Sequence, residues 1–195
     1  MALAGSARDG WTIALYSWII QDGNYPDFVR GQHADFAVEF EIENLDLTES
    51  AVPSATLVDD SCYEIVGRVV GVYPTAWVVD CGILIYQERQ PPGVAEDDWV
   101  SGRAVLGVDP FAYYERLNRL PGMPALIYSW RIDSIRRQTA PFVEIAPRTF
   151  ARDTTKWGFV DAERTDAWQD DNGRADYLLD CRRRDTPPRR SRSDT

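Results

Sequence analysis

Short runs in which apolar and polar residues alternate dominate the chain, and a period of two is the signature of strands with one covered face. The clearest alternation lies in residues 34–45. There Phe36, Val38, Phe40 and Ile42 fall on one side, and Asp35, Glu39, Glu41 and Glu43 on the other. Residues 11–20 form a further apolar, β-rich stretch closed by the turn-forming Gln21-Asp22-Gly23-Asn24. Residues 63–73 and 76–87 flank Pro74-Thr75, a connection short enough to predict an antiparallel hairpin. Residues 99–108 and 125–135 predict two more strands, and 142–146, 157–160 and 175–181 weaker ones, whereas 46–61 reads as polar and irregular. Gly102 and Gly107 mark a bulge or tight bend within 99–108.

One helix is predicted near 110–120. Asp109 supplies a cap and Pro110 fits a first helical turn. Phe111, Tyr114, Leu117 and Leu120 recur at a spacing of three, and Pro121-Gly122 ends the run. Many short strands with a single inserted helix predict a mainly β fold, a curled antiparallel sheet or small barrel. The order strand, strand, strand, helix, strand over 63–135 is similar to that of the oligonucleotide/oligosaccharide-binding (OB) barrel. That resemblance implies a barrel and no particular activity, because one fold hosts many functions.

Composition fits one folded unit: the 195 residues are 44% hydrophobic, 12% aromatic and 27% charged. The expected organisation is a flexible N-terminus over 1–10, a single β-rich domain over 11–181 and a disordered basic tail over 182–195. The formal charge of −10 is unevenly placed. Six arginines and two aspartates give the tail +4, so the body carries −14. Such a body repels phosphate and argues against nucleic-acid binding through its surface. The odd, widely spaced Cys62, Cys81 and Cys181 read as reduced thiols of a cytoplasmic protein. Neither a signal peptide nor a run of about 18 apolar residues is present, so no membrane span is expected. His33 is the sole histidine, which disfavours His-based metal sites and a Ser-His-Asp triad. No nucleotide-binding, hydrolase or zinc-protease motif occurs, and no metal or cofactor is expected.

Two groups of residues remain as candidates for function. Residues 31–67 contain nine carboxylates and no Lys or Arg. Within them Glu39, Glu41 and Glu43 stand in a row about 6.6–6.8 Å apart, with Asp35 on the same side. The ordinary reading is a solvated face paired across strands with Arg68 or Arg136. The functional reading is a surface for a basic protein partner, as in small acidic inhibitor- or immunity-like proteins. The second group lies on the mixed faces of the later strands. Asp80, Arg103, Arg131 and Asp133, flanked by Tyr86 and Trp99, would form a small-molecule pocket or acid/base site if those faces converge inside a barrel. A third expectation is single-stranded nucleic acid stacking on Tyr63, Tyr86 and Trp99.

Overall fold

Strand accounts for 50% of the protein and helix for 11%. The computed structural model describes residues 10–49, 52–89 and 93–191. In chain order the first elements are β1 (Gly10–Tyr16), the helical turn α1 (Ser17–Gln21), β2 (His33–Phe36), β3 (Val38–Ile42), β4 (Asp46–Leu47) and β5 (Ser54–Asp59). Then come β6 (Cys62–Val72), β7 (Trp77–Asp80), β8 (Leu84–Gln87), β9 (Trp99–Val108), the short helix α2 (Ala112–Glu115) and β10 (Tyr128–Gln138). The hairpin β11 (Phe142–Ala146) and β12 (Thr149–Arg152), then β13 (Phe159–Ala162) and β14 (Asp176–Arg183), complete the fold. Residues 46–61, expected to be irregular, thus supply β4 and β5.

Five strands close into a barrel in the order β9, β3, β8, β7, β6 and back to β9. It is mixed because β3 and β8 run parallel, through Glu39 opposite Tyr86, whereas its other pairs are antiparallel. A ring of five leaves room only for side chains. Phe40, Ile65, Val69, Trp77, Val79, Ile85 and Leu106 fill it, with Phe40 and Trp77 in edge-to-face contact at 5.1 Å. The expected 63–73/76–87 hairpin forms, Val72 lying opposite Trp77. Residues 76–87 are not one strand, however. They turn at Cys81–Ile83, where Gly82 takes φ 108° and donates its N–H to Asp80 Oδ1 at 3.0 Å. An Asp side chain bonded two residues on, followed by a positive-φ glycine, is turn chemistry.

The strand after α2 lies outside the ring, unlike the arrangement the OB resemblance suggested. β10 pairs with β14, β13 and β2, and β14 pairs along its length with β1. Because β2 and β3 are consecutive, residues 33–42 serve both this outer sheet and the barrel. Three residues in a row at their junction, Phe36, Ala37 and Val38, are buried, which interrupts the alternation. Phe36 stacks on Trp130 at 5.5 Å, and Ala37 packs in a second core beneath α2.

That second core explains why β7 and β8 are apolar on both faces. Trp77, Val79 and Ile85 point into the barrel, while Val78 and Tyr86 pack against Ala112, Tyr113 and Leu117. Asp109 accepts the N–H groups of Tyr113 and Tyr114 at 3.1 and 3.2 Å, but the cap position is Phe111 at φ 81°, so Pro110 lies before the helix, and the run expected near 110–120 is only Ala112–Glu115 followed by a 3-10 turn at Leu117–Arg119. Gly102 marks a close approach, since a Cβ there would lie 2.1 Å from the Asn44 carbonyl oxygen.

The basic tail departs from expectation. Arg182 and Arg183 belong to β14, and Arg189 forms an antiparallel bridge with Ile127 and an ion pair of 3.1 Å with Asp35. Its cationic side chains find acceptors on the acidic body, which orders a segment lacking apolar anchors. Residues 192–195, and residues 1–9 of the expected flexible N-terminus, lie outside the described residues; Gly10 opens β1. No helix among the described residues is long and apolar enough to cross a membrane.

Candidate functional site

Among the described residues β1 is strand-paired with the barrel at one parallel position, Ala14 opposite Gly107 of β9, and it meets β6 through side chains, the Thr12 N–H donating to the Tyr63 hydroxyl at 2.7 Å and Trp11 packing on the Tyr63 ring at 5.5 Å. After it the chain leaves the sheet: α1 begins at Ser17, whose N–H reaches the Ala175 carbonyl at 2.9 Å and whose hydroxyl reaches Gly173 O at 3.0 Å. Gln21 Nε2 secures the far end of the turn on the carbonyls of Ala167 and Gly173. The turn sends Ile19 and Ile20 into the core and leaves Tyr16 and Trp18 outside, 41% and 48% exposed. Between this aromatic rim and the barrel wall runs a groove of about 340 Å³.

Glu39 and Glu41 of β3 line the groove, with Gln87, Glu88 and Arg89 at the end of β8. Glu39 is half-buried, and its carboxyl is pushed up to about 7. Burial is the main cause, the charges of Asp109, Glu88 and Glu41 add to it, and the backbone N–H of Glu88 partly offsets them. Neither Glu39 nor Glu41 has an ion-pair partner among the described residues. The arginines expected opposite them are engaged elsewhere, Arg68 with Asp97 and Arg136 with Asp180.

The four predicted partner-binding carboxylates therefore separate. Glu39 and Glu41 share the groove. Glu43 lines a neighbouring polar depression with Arg103 and Glu64, which form an ion pair of 3.8 Å. Asp35 lies beyond the bend at Ala37 and holds Arg189.

The second predicted cluster does not assemble. Asp80 ends β7 in the turn with Gly82, while Tyr86 is buried beneath α2 and donates its hydroxyl to Asp109. Half-buried Trp99 and exposed Arg103 lie on β9; exposed Arg131 and half-buried Asp133 lie on β10 and pair with each other at 3.4 Å, Asp133 also pairing with Arg182 at 3.1 Å, so only these two members of the cluster meet. The barrel interior is apolar and full, and placing these charges inside it would strip their hydration without compensation. Of the aromatics expected as a stacking surface, Tyr63 and Tyr86 are core residues and Trp99 is half-buried.

Tyr16, Trp18 and Glu88 were not singled out by the sequence. Tyr16 and Trp18 read as part of one apolar strand, and only the turn at Ser17 reveals them as surface. Among the described residues no cluster of His, Cys, Asp and Glu could hold a metal ion. Comparison with known proteins found no matching family model, no matching curated protein and no matching solved structure.

Proposed function

We propose that this is a non-enzymatic, acidic binding protein of inhibitor or immunity type, whose groove receives a basic side chain of a protein partner. The observation that carries this reading is Glu39: a half-buried carboxyl pushed up to about 7, beside Glu41, with no ion-pair partner for either among the described residues, although Arg89 lines the same groove and Arg116 pairs with Glu88. An arriving guanidinium or ammonium supplies the missing charge. Tyr16 and Trp18 offer it aromatic faces, and a cation over such a ring gains about 0.5–2 kcal/mol. The body's charge of −14 adds long-range attraction that accelerates encounter.

The test is charge reversal of Glu39 and Glu41 to Lys in the full chain, followed by affinity measurement on the protein that copurifies with it from a native extract, across a salt series. The expected result is a loss of affinity of at least about tenfold, with weaker salt dependence in what remains. Unchanged affinity and salt slope overturn the proposal. Single reversal of Asp35, which is engaged by Arg189, is the comparison of equal charge change for Glu39→Lys alone.

A further inference from the structure

Gly107 is a glycine that neither the backbone nor the packing demands. Its φ lies outside the left-handed region, and β9 pairs with β3 in unbroken register from Val108 to Ala104, so it marks no bulge. A glycine inside a strand weakens it, because it is costly to order and offers no side chain to pack. Three other strand glycines have a steric reason. A Cβ would lie 2.3 Å from Val79 Cγ1 at Gly67, 2.6 Å from the Tyr73 hydroxyl at Gly71 and 2.1 Å from the Asn44 carbonyl oxygen at Gly102. At Gly107 the nearest atom beyond its chain neighbours is the Ala14 carbonyl oxygen at 3.8 Å, an ordinary van der Waals distance.

What the missing side chain leaves open is the groove. Gly107 stands opposite Glu39 across the β3–β9 pair and opposite Ala14 across the β1–β9 pair, and all three line the groove. Residues directly opposite on antiparallel strands have their Cβ atoms about 4.5–5.5 Å apart. In the sheet β9 lies between β1, which carries Tyr16, and β3, which carries Glu39. A side chain at 107 would therefore fill the floor between the aromatic rim and the carboxyl. Two residues along the same face, Val105 stands opposite Glu41, so of the two groove carboxylates only Glu39 faces an empty position on β9.

Resting on the reading of the acidic groove, we infer that Gly107 is its specificity-determining residue: by omitting a side chain it lets a long basic side chain of the partner, arginine or lysine, pass over β9 and reach Glu39. The stem of such a side chain is apolar and lies against strand backbone and Tyr16, while its charged head meets the carboxylate.

The test uses the full chain and the capped peptide acetyl-Gly-Arg-Gly-amide, with the indole N–H signal of Trp18, assigned by Trp18→Phe, reporting binding by NMR. Gly107→Ala and Gly107→Val are expected to unfold at the same urea concentration as the unmodified protein or a higher one, since a Cβ fits there and either residue loses less freedom on folding than glycine. Peptide affinity should fall, about tenfold or more for Val and less for Ala. Glu39, followed through its carboxyl carbon signal, should titrate at higher pH in Gly107→Val, because the added side chain removes water from it. Full affinity in a folded Gly107→Val, or an unchanged Glu39 titration, overturns the inference and leaves the groove standing. A Gly107→Ala that unfolds at markedly lower urea does the same, by making the glycine a requirement of the fold. Failure of the peptide to move Trp18 in the unmodified protein overturns the reading of the groove itself.

Discussion

Arg152 and Glu39 are charged side chains withdrawn from water in the same molecule, and their surroundings are opposite. Arg152 is 10% exposed and saturated. It pairs with Asp171 and Asp176, donates to the carbonyls of Ala140 and Arg174, and lies over the Phe142 ring at 4.1 Å. Its guanidinium finds acceptors on four residues in two chain segments, Ala140 and 171–176, so it ties the β11–β12 hairpin to the body. Glu39 and Glu41 have no ion-pair partner among the described residues, although the chain carries 21 Lys and Arg residues. A charge whose partners are all supplied from within holds structure. One left open beside exposed aromatics is available to another molecule.

Removing Arg152 should have the largest effect on stability. Arg152→Met leaves Asp171 and Asp176 without their cation, and breaking a buried ion pair costs about 3–5 kcal/mol. Both carboxylates keep about a third of their surface in water, so the lower end is expected, read as a fall in urea midpoint. If Arg152→Met unfolds like the unmodified protein, the comparison loses its structural half.

Glu39→Gln inverts that behaviour. Its carboxyl is raised from 4.5 to about 7 in the folded state, so between these values the native protein binds more protons than the unfolded chain. Stability conferred by the neutral form is therefore present below about 4.5 and lost as pH rises through 7. Because the carboxyl is partly exposed, the loss is roughly 1–2 kcal/mol rather than the full value of the shift. Glu39→Gln should be more stable than the unmodified protein at pH 8 and indistinguishable from it at pH 4.5, by urea unfolding at both. A destabilised Glu39→Gln at pH 8 would mean that the carboxylate is already compensated.

The same raised value predicts pH-dependent recognition. A cation bound beside Glu39 favours its ionised form, so binding the copurified partner should release a proton and tighten as pH rises from 6 to 8. Calorimetry in buffers of different ionisation enthalpy measures that release. The smallest effect is expected from Asp35→Ala, which removes an exposed pair worth about 0–1 kcal/mol and leaves partner affinity unchanged. A large loss of affinity there would move the interface from the groove to the surface beside the tail.

Parts of this arrangement were legible beforehand for local reasons. The turn at Pro74-Thr75 and the hydrogen bonds from the Tyr113 and Tyr114 N–H groups to Asp109 depend on residues within a few positions of each other; the turn appears where the sequence puts it, whereas the helix starts at Ala112, two residues later than Pro110. The acidic row was visible as a pattern but was read as continuous, because nothing local announces the bend at Ala37 or the capture of Asp35 by Arg189, 154 residues away. The Asp80–Arg131 cluster failed for the same reason. Period two says that a strand has two faces, and in β7 and β8 both turned out to be covered, one by the barrel interior and one by α2.

Alternation, turn chemistry and charge placement, written along the chain itself, determined that this protein is mostly β with one short helix and a cation-free acidic stretch at 31–67. Tertiary structure alone decided which carboxylates stay open. That choice depends on strand register, on the single Ala14–Gly107 strand pairing after which β1 diverges from β9, and on the turn at Ser17 that exposes Tyr16 and Trp18. Each is a contact between segments far apart in sequence, fixed only when the two cores pack.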